Sequence, residues 1–150
     1  MGKFDIIYQT AKDKGNPEEL ERNGPIYCNS SDAWLGNGYY FWHGHEELSH
    51  WWGKARIRGK YIVCRGYCNI QPNCFDLHDS PGHRAQMIKA FEIVTKINDE
   101  AKKRGADYDE EILLSKVIEW LKKKSFFNYE AINFSKLLKV NFLKLTCIFF

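Results

Sequence analysis

Two glycines one residue apart, Gly36 and Gly38, are followed at once by Tyr39, Tyr40, Phe41 and Trp42. Glycine can take φ > 0 and lets a backbone or a flat ligand come close. The aromatic run after it suits a strand fed by the glycine turn. Alternation along that strand puts Tyr40 and Trp42 on one face and Tyr39 and Phe41 on the other. A tight turn beside an aromatic face can hold a flat, polar ring. The same pattern also fits an ordinary β-hairpin whose rings are simply core.

Other residues could do different chemistry. His43, His45 and His50 could offer three imidazoles to zinc, if a helix brought His50 back to the other two. Cys64 could pair with His78 or His83 as a nucleophile and its base, although no third group presents itself to orient the base. Cys64, Cys68 and Cys74 lack paired Cys-x-x-Cys spacing and read as buried, reduced thiols. Asp76 and Asp79 read as a turn and cap before a helix. The Trp51–Trp52 pair reads as packing before base stacking.

The string from Leu35 to Trp42, Leu-Gly-Asn-Gly-Tyr-Tyr-Phe-Trp, resembles the Gly-x-Gly-aromatic-Tyr-Phe element of ADP-ribosyltransferase-fold proteins. It is most similar to the small bacterial ones that are like the poly-ADP-ribose polymerase catalytic domain. The segment Glu46–Gly53 fills the place of the short, Trp-containing helix that follows in that family. Lys60–Arg65 and Cys74–Leu77 fit the next strand pair. The resemblance covers about residues 5 to 80. It implies that Tyr40 stacks on the nicotinamide of NAD, with NAD as substrate, no metal, and a macromolecular acceptor in the manner of toxin-like proteins.

ADP-ribosyl transfer splits the bond between nicotinamide and ribose. Its transition state resembles an oxocarbenium ion, so a nearby carboxylate stabilises the developing charge. The resemblance implies a ribose-holding residue on the first strand, often a histidine. Gln9 stands there, followed by Thr10, and an amide can donate and accept. Gly36 and Gly38 would shape the pocket wall. The family also has a late-strand Glu, and none lies in the segment from Phe142 to Cys147. Lys144 falls near that slot, and its charge would oppose a cationic transition state. Glu130 is the nearest late acid and the candidate catalytic carboxylate, with a solvated strand residue as its plainer reading. Two functions follow as expectations. One is an NAD-dependent ADP-ribosyltransferase. The other is a degenerate module of the same fold that binds a nucleotide ligand or a protein partner.

Composition sets the bounds. A chain of 150 residues suggests one domain, 1–150, able to bury a core without staples. The net charge of +3 is too mild to indicate nucleic-acid binding by itself, and six Lys against one Glu from Leu121 onward fit a solvated helix face and a basic tail. Five cysteines with no leader pattern suggest reduced thiols and a cytoplasmic location. No apolar run has the length of a membrane span.

The elements that must position these residues can be read from spacing. Strands are expected at Phe4–Thr10, Tyr39–Trp42, Tyr61–Cys68, Cys74–Leu77, Ser125–Phe134 and Asn141–Phe150, with a short extended piece at Ile26–Cys28. Asn16 and Pro17 should start a short helix. Helices are expected at Glu46–Lys54, Ala85–Lys103 and Asp109–Lys124, the last two forming a helical segment over about 83–124. The expected class is α+β, with an ADP-ribosyltransferase-like split, mostly antiparallel sheet and flanking helices.

Overall fold

A computed structural model describes residues 4–69, 73–125, 127–135, 137–140 and 148–149. Its elements run β1 (Asp5–Lys12), α1 (Pro17–Asn23), β2 (Tyr27–Cys28), β3 (Gly38–His43), α2 (Glu46–Arg56), β4 (Tyr61–Cys68), β5 (Cys74–Asp76), α3 (Pro81–Lys103), α4 (Leu114–Lys122), β6 (Ala131–Phe134), β7 (Leu137–Val140) and β8 (Ile148–Phe149). The fold is α+β. The strands hydrogen-bond in the order β5-β6-β7-β3-β1-β4-β8, with β2 on β3. All of these pairings are antiparallel except β5 with β6.

Local chemistry sets several boundaries. The Asn16 side chain accepts from the Glu19 N–H at 3.3 Å and Pro17 opens α1. Ser80 accepts from the His83 N–H at 3.2 Å, so α3 begins at Pro81, four residues ahead of the periodic stretch. The second long helix starts later than its sequence suggests. Asn98 on α3 donates to the Asp109 carbonyl at 2.9 Å and accepts from the Asp109 N–H at 2.7 Å. That clamp holds 109–113 out of helical geometry, and α4 runs only from Leu114.

The strand expected over Ser125–Phe134 shrinks to Ala131–Phe134, because Phe127 N–H turns back to the Lys124 carbonyl. Strand β7 carries no alternation cue; it follows Ser135, at φ +59, and completes a hairpin with β6. Of the final strand expected at Asn141–Phe150, residues 141–147 and 150 lie outside the described residues, and Ile148–Phe149 pair with β4.

The two faces of β3 lead to two cores. Phe41 is buried with Ile7, Cys68 and Ala131 on one side. Tyr40 packs on the other side, against the cluster that joins Leu35, Phe75 and Ile132 to Met87 of α3 and Ile118 of α4. Helix α2 lies on β1 and β4 through a stripe of small residues, Ser49 and Gly53, both buried. Thr10 Oγ1 donates to the Ser49 carbonyl at 2.8 Å. The Ser49 hydroxyl itself is fully buried without a partner. An unmet buried hydroxyl costs roughly 1–3 kcal/mol. Ser49→Ala is therefore expected to raise the thermal midpoint, and a drop in calorimetry would contradict this placement.

Candidate functional site: a tryptophan-walled cavity beside Tyr40

The glycine turn is built around the Tyr40 hydroxyl. Gly36 sits at φ +81, a conformation that disfavours any side chain. Gly38, at φ +159, opens β3 in near-extended backbone. Tyr40 reaches back into the turn. Its hydroxyl donates to the Gly36 carbonyl at 2.5 Å and accepts from the Leu35 N–H at 3.0 Å. Burial pushes this phenol up to about 12, against the smaller opposing effect of the Leu35 N–H. At neutral pH it is a fixed donor, not a base.

A cavity of about 500 Å³ opens beside this ring. Trp34, Trp42, Trp51, Trp52 and Tyr40 wall it, so four of the chain's five tryptophans meet there. Trp42 forms a triangle with the two indoles of α2, its ring centroid 6.5 Å from Trp51 and 6.1 Å from Trp52. The α2 indoles lie 6.3 Å apart, tilted by 55°. Trp34 and Trp51 are 65% and 54% exposed, which is unusual for side chains that gain so much from burial. Arg56 also lines the space, and its guanidinium lies over Trp52 at 5.6 Å, a cation–π contact that fixes it at the rim. Asp32 contributes the one carboxylate among the described residues of the wall.

The residues implied for NAD are only partly brought together. Tyr40, Gln9 and Thr10 all line the cavity. Gln9, however, is spent on the backbone. Its amide nitrogen donates to the carbonyls of Ile26 at 3.0 Å and Tyr40 at 3.2 Å, and its oxygen accepts from the Ile26 N–H at 2.7 Å. It has no N–H left for a ribose. Thr10 Oγ1 donates its one proton to the Ser49 carbonyl of α2 and keeps only its acceptor capacity. Glu130 is not among the described residues of the wall. Its backbone N–H donates to the Asn73 carbonyl at 2.9 Å, just ahead of β6. Strand β7 lies between β6 and β3, so two strand spacings, roughly 10 Å, separate Glu130's strand from Tyr40's. Lys144 lies outside the described residues.

The rival sites also resolve. The three imidazoles go to separate partners: His43 to Asp5 at 3.1 Å, His45 to Glu47 at 2.8 Å and His50 to the Tyr61 hydroxyl at 3.2 Å. Among the described residues no group of three could hold a metal ion. Cys64 on β4 and His83 on α3 stand at opposite ends of the sheet order, since α3 follows β5. Asp76 Oδ1 accepts from the N–H groups of His78 and Asp79, at 2.8 and 3.0 Å, and serves as a turn cap. His83 Nδ1 accepts from the Asp76 N–H at 2.9 Å, so its proton sits on Nε2 toward the Tyr129 hydroxyl.

No family model, curated protein or solved structure matches the chain.

Trp51 and Trp52 pack with Trp42, as expected, and also form cavity wall. The signal was present in the small-residue stripe, because Ser49 and Gly53 at i and i+4 mark the face of α2 that meets the sheet. Trp51 and Trp52 lie off that stripe. Arg56, four residues after Trp52, shares its side of the helix.

Proposed function

We propose that this chain is a nucleotide-binding module of ADP-ribosyltransferase-like fold that holds a flat base, such as the nicotinamide or adenine of NAD, without transferring ADP-ribose. One observation carries this reading: four indoles and a phenol converge on a single cavity with a guanidinium at its rim. Ring stacking of this kind contributes about 1–3 kcal/mol per base. The family resemblance rests on the order of glycine turn, aromatic strand and Trp-bearing helix, and on a mostly antiparallel sheet. The loss of chemistry rests on Gln9, whose donors are occupied, and on Glu130, two strands away.

A second reading, an NAD-dependent transferase acting on a macromolecule, has one observation in its favour. Asp32 lines the cavity, and its carboxylate could face an oxocarbenium-like ribose.

The two separate in one experiment. Indole emission is recorded during an NAD titration, and nicotinamide release is followed in the same samples. The module predicts quenching without release, and a 5- to 150-fold weaker titration for Trp52→Ala, as expected for about 1–3 kcal/mol of stacking. Release that disappears in Asp32→Asn would establish cleavage of the nicotinamide–ribose bond, and ADP-ribose then found on added protein or nucleic acid, not only in solution, would establish the transferase instead. Neither quenching nor release would remove both.

A further inference from the structure

A second cavity, of about 650 Å³, adjoins the first and shares Thr10, Ile26 and Arg56 with it. Its character is different. Lys12, Lys14, Arg56 and Arg58 line it, opposed by Glu19 alone among acidic residues of that wall. Lys12, Lys14 and Arg58 have no ion-pair partner among the described residues. Cations gathered without counter-charges repel one another, and a polyanion relieves that repulsion. Arg56 is the hinge between the spaces, held over Trp52 on one side and lining the basic cavity on the other.

We propose that the two cavities form one track for a single-stranded nucleic acid. Bases stack among Trp34, Trp51 and Trp52, and the phosphates run past Arg56 toward Arg58, Lys12 and Lys14. The inference rests on the tryptophan cavity being a base-binding site, and it names the macromolecule that occupies it. Stacking planes beside a cationic groove are the two parts that sequence-tolerant single-strand binding needs. The exposure of Trp34 and Trp51 extends the stacking surface beyond the enclosed volume. A duplex keeps its bases stacked on each other and offers them no free face.

The test uses the full chain and a short fluorescein-labelled oligouridine, read by anisotropy over a range of salt concentrations. The same strand annealed to its complement serves as the duplex. The expected result is binding of the single strand and at least tenfold weaker binding of the duplex. Arg58→Ala and Lys14→Ala should each lower the slope of log K against log salt by about 0.7. Trp51→Ala should weaken binding roughly 5- to 150-fold while leaving that slope unchanged. Equal affinity for duplex and single strand would overturn the proposal, as would a salt slope indifferent to both cation variants. NAD quenching, measured in parallel, keeps the two readings apart. Quenching with no strand binding overturns this inference alone, and strand binding without quenching overturns the dinucleotide ligand alone.

Discussion

Gly53→Ala is expected to destabilise the protein although alanine is the better helix former. Inside α2 the exchange gains about 1 kcal/mol of helix propensity. Against this, a Cβ at position 53 would stand 2.5 Å from Tyr61 Cδ2 and 2.6 Å from Cγ. Those are ring atoms close to the backbone, not the loose end of a flexible chain. The ring is also held at its far end, where the Tyr61 hydroxyl meets His50 Nδ1 at 3.2 Å. Overpacking of this kind costs about 1–3 kcal/mol, so the clash cancels or exceeds the propensity gain. Each net kcal/mol lost lowers the midpoint by roughly 2–4 °C in a chain of this size.

The larger effect falls on the site. Trp51, Trp52 and Arg56 ride on the same helix, so lifting α2 off β4 moves three parts of the cavity wall together. NAD quenching and oligouridine binding should both weaken in Gly53→Ala. Tyr61→Ala removes the obstructing ring, and in that background Gly53→Ala should turn stabilising, an interaction that a double-mutant cycle measures. A higher melting temperature for Gly53→Ala alone would show that α2 does not seat against Tyr61 as described.

The parts of the fold that sequence reveals are those with local causes. The capping residue Asn16 acts within three positions of itself. The alternation from Tyr39 to Trp42 assigns its own faces, and Phe41 and Tyr40 do enter different cores. What stays hidden has distant causes. The late start of α4 depends on Asn98, eleven residues before Asp109. Gln9 reads as a free amide until the chain returns at Ile26, seventeen residues later, and occupies it. Setting Glu130 aside requires the strand order, which inserts β7 between β6 and β3. Helix periodicity shows that α2 has a buried stripe. Only its seating on β1 and β4 turns Trp51 and Trp52 toward an open space.

Tyr40→Phe should separate the hydroxyl from the ring. The ring remains to wall the cavity, so NAD quenching at neutral pH should stay close to that of the parent chain, whereas Tyr40→Ala should abolish it. Stability should fall. The hydroxyl answers the N–H of Leu35, a fully buried residue, and the carbonyl of Gly36. Leaving such groups unmet costs about 1–3 kcal/mol.

The pH profile identifies the cause. Burial raises Tyr40 from its ordinary value of 10.0 to about 12. The fold thus favours the neutral phenol, which alone can donate to the Gly36 carbonyl. A group raised on folding contributes stability that is complete below its unfolded value and disappears as pH climbs through its folded one. For Tyr40 that window runs from about 10 to about 12. Burial likewise lifts Cys74 from 9.0 to about 12, so its contribution begins to decline one unit earlier. The parent chain should therefore lose stability progressively between pH 9 and 12. In Tyr40→Phe the decline should begin at the same pH but be shallower above 10, because the phenol's share is gone while the buried Cys74 and Cys64 thiols, both raised on folding, still titrate differently in the two states. Superimposable alkaline profiles, measured by urea titration at each pH, would mean that the Tyr40 hydroxyl is not locked into the glycine turn. The ring would then have no fixed seat beside the cavity.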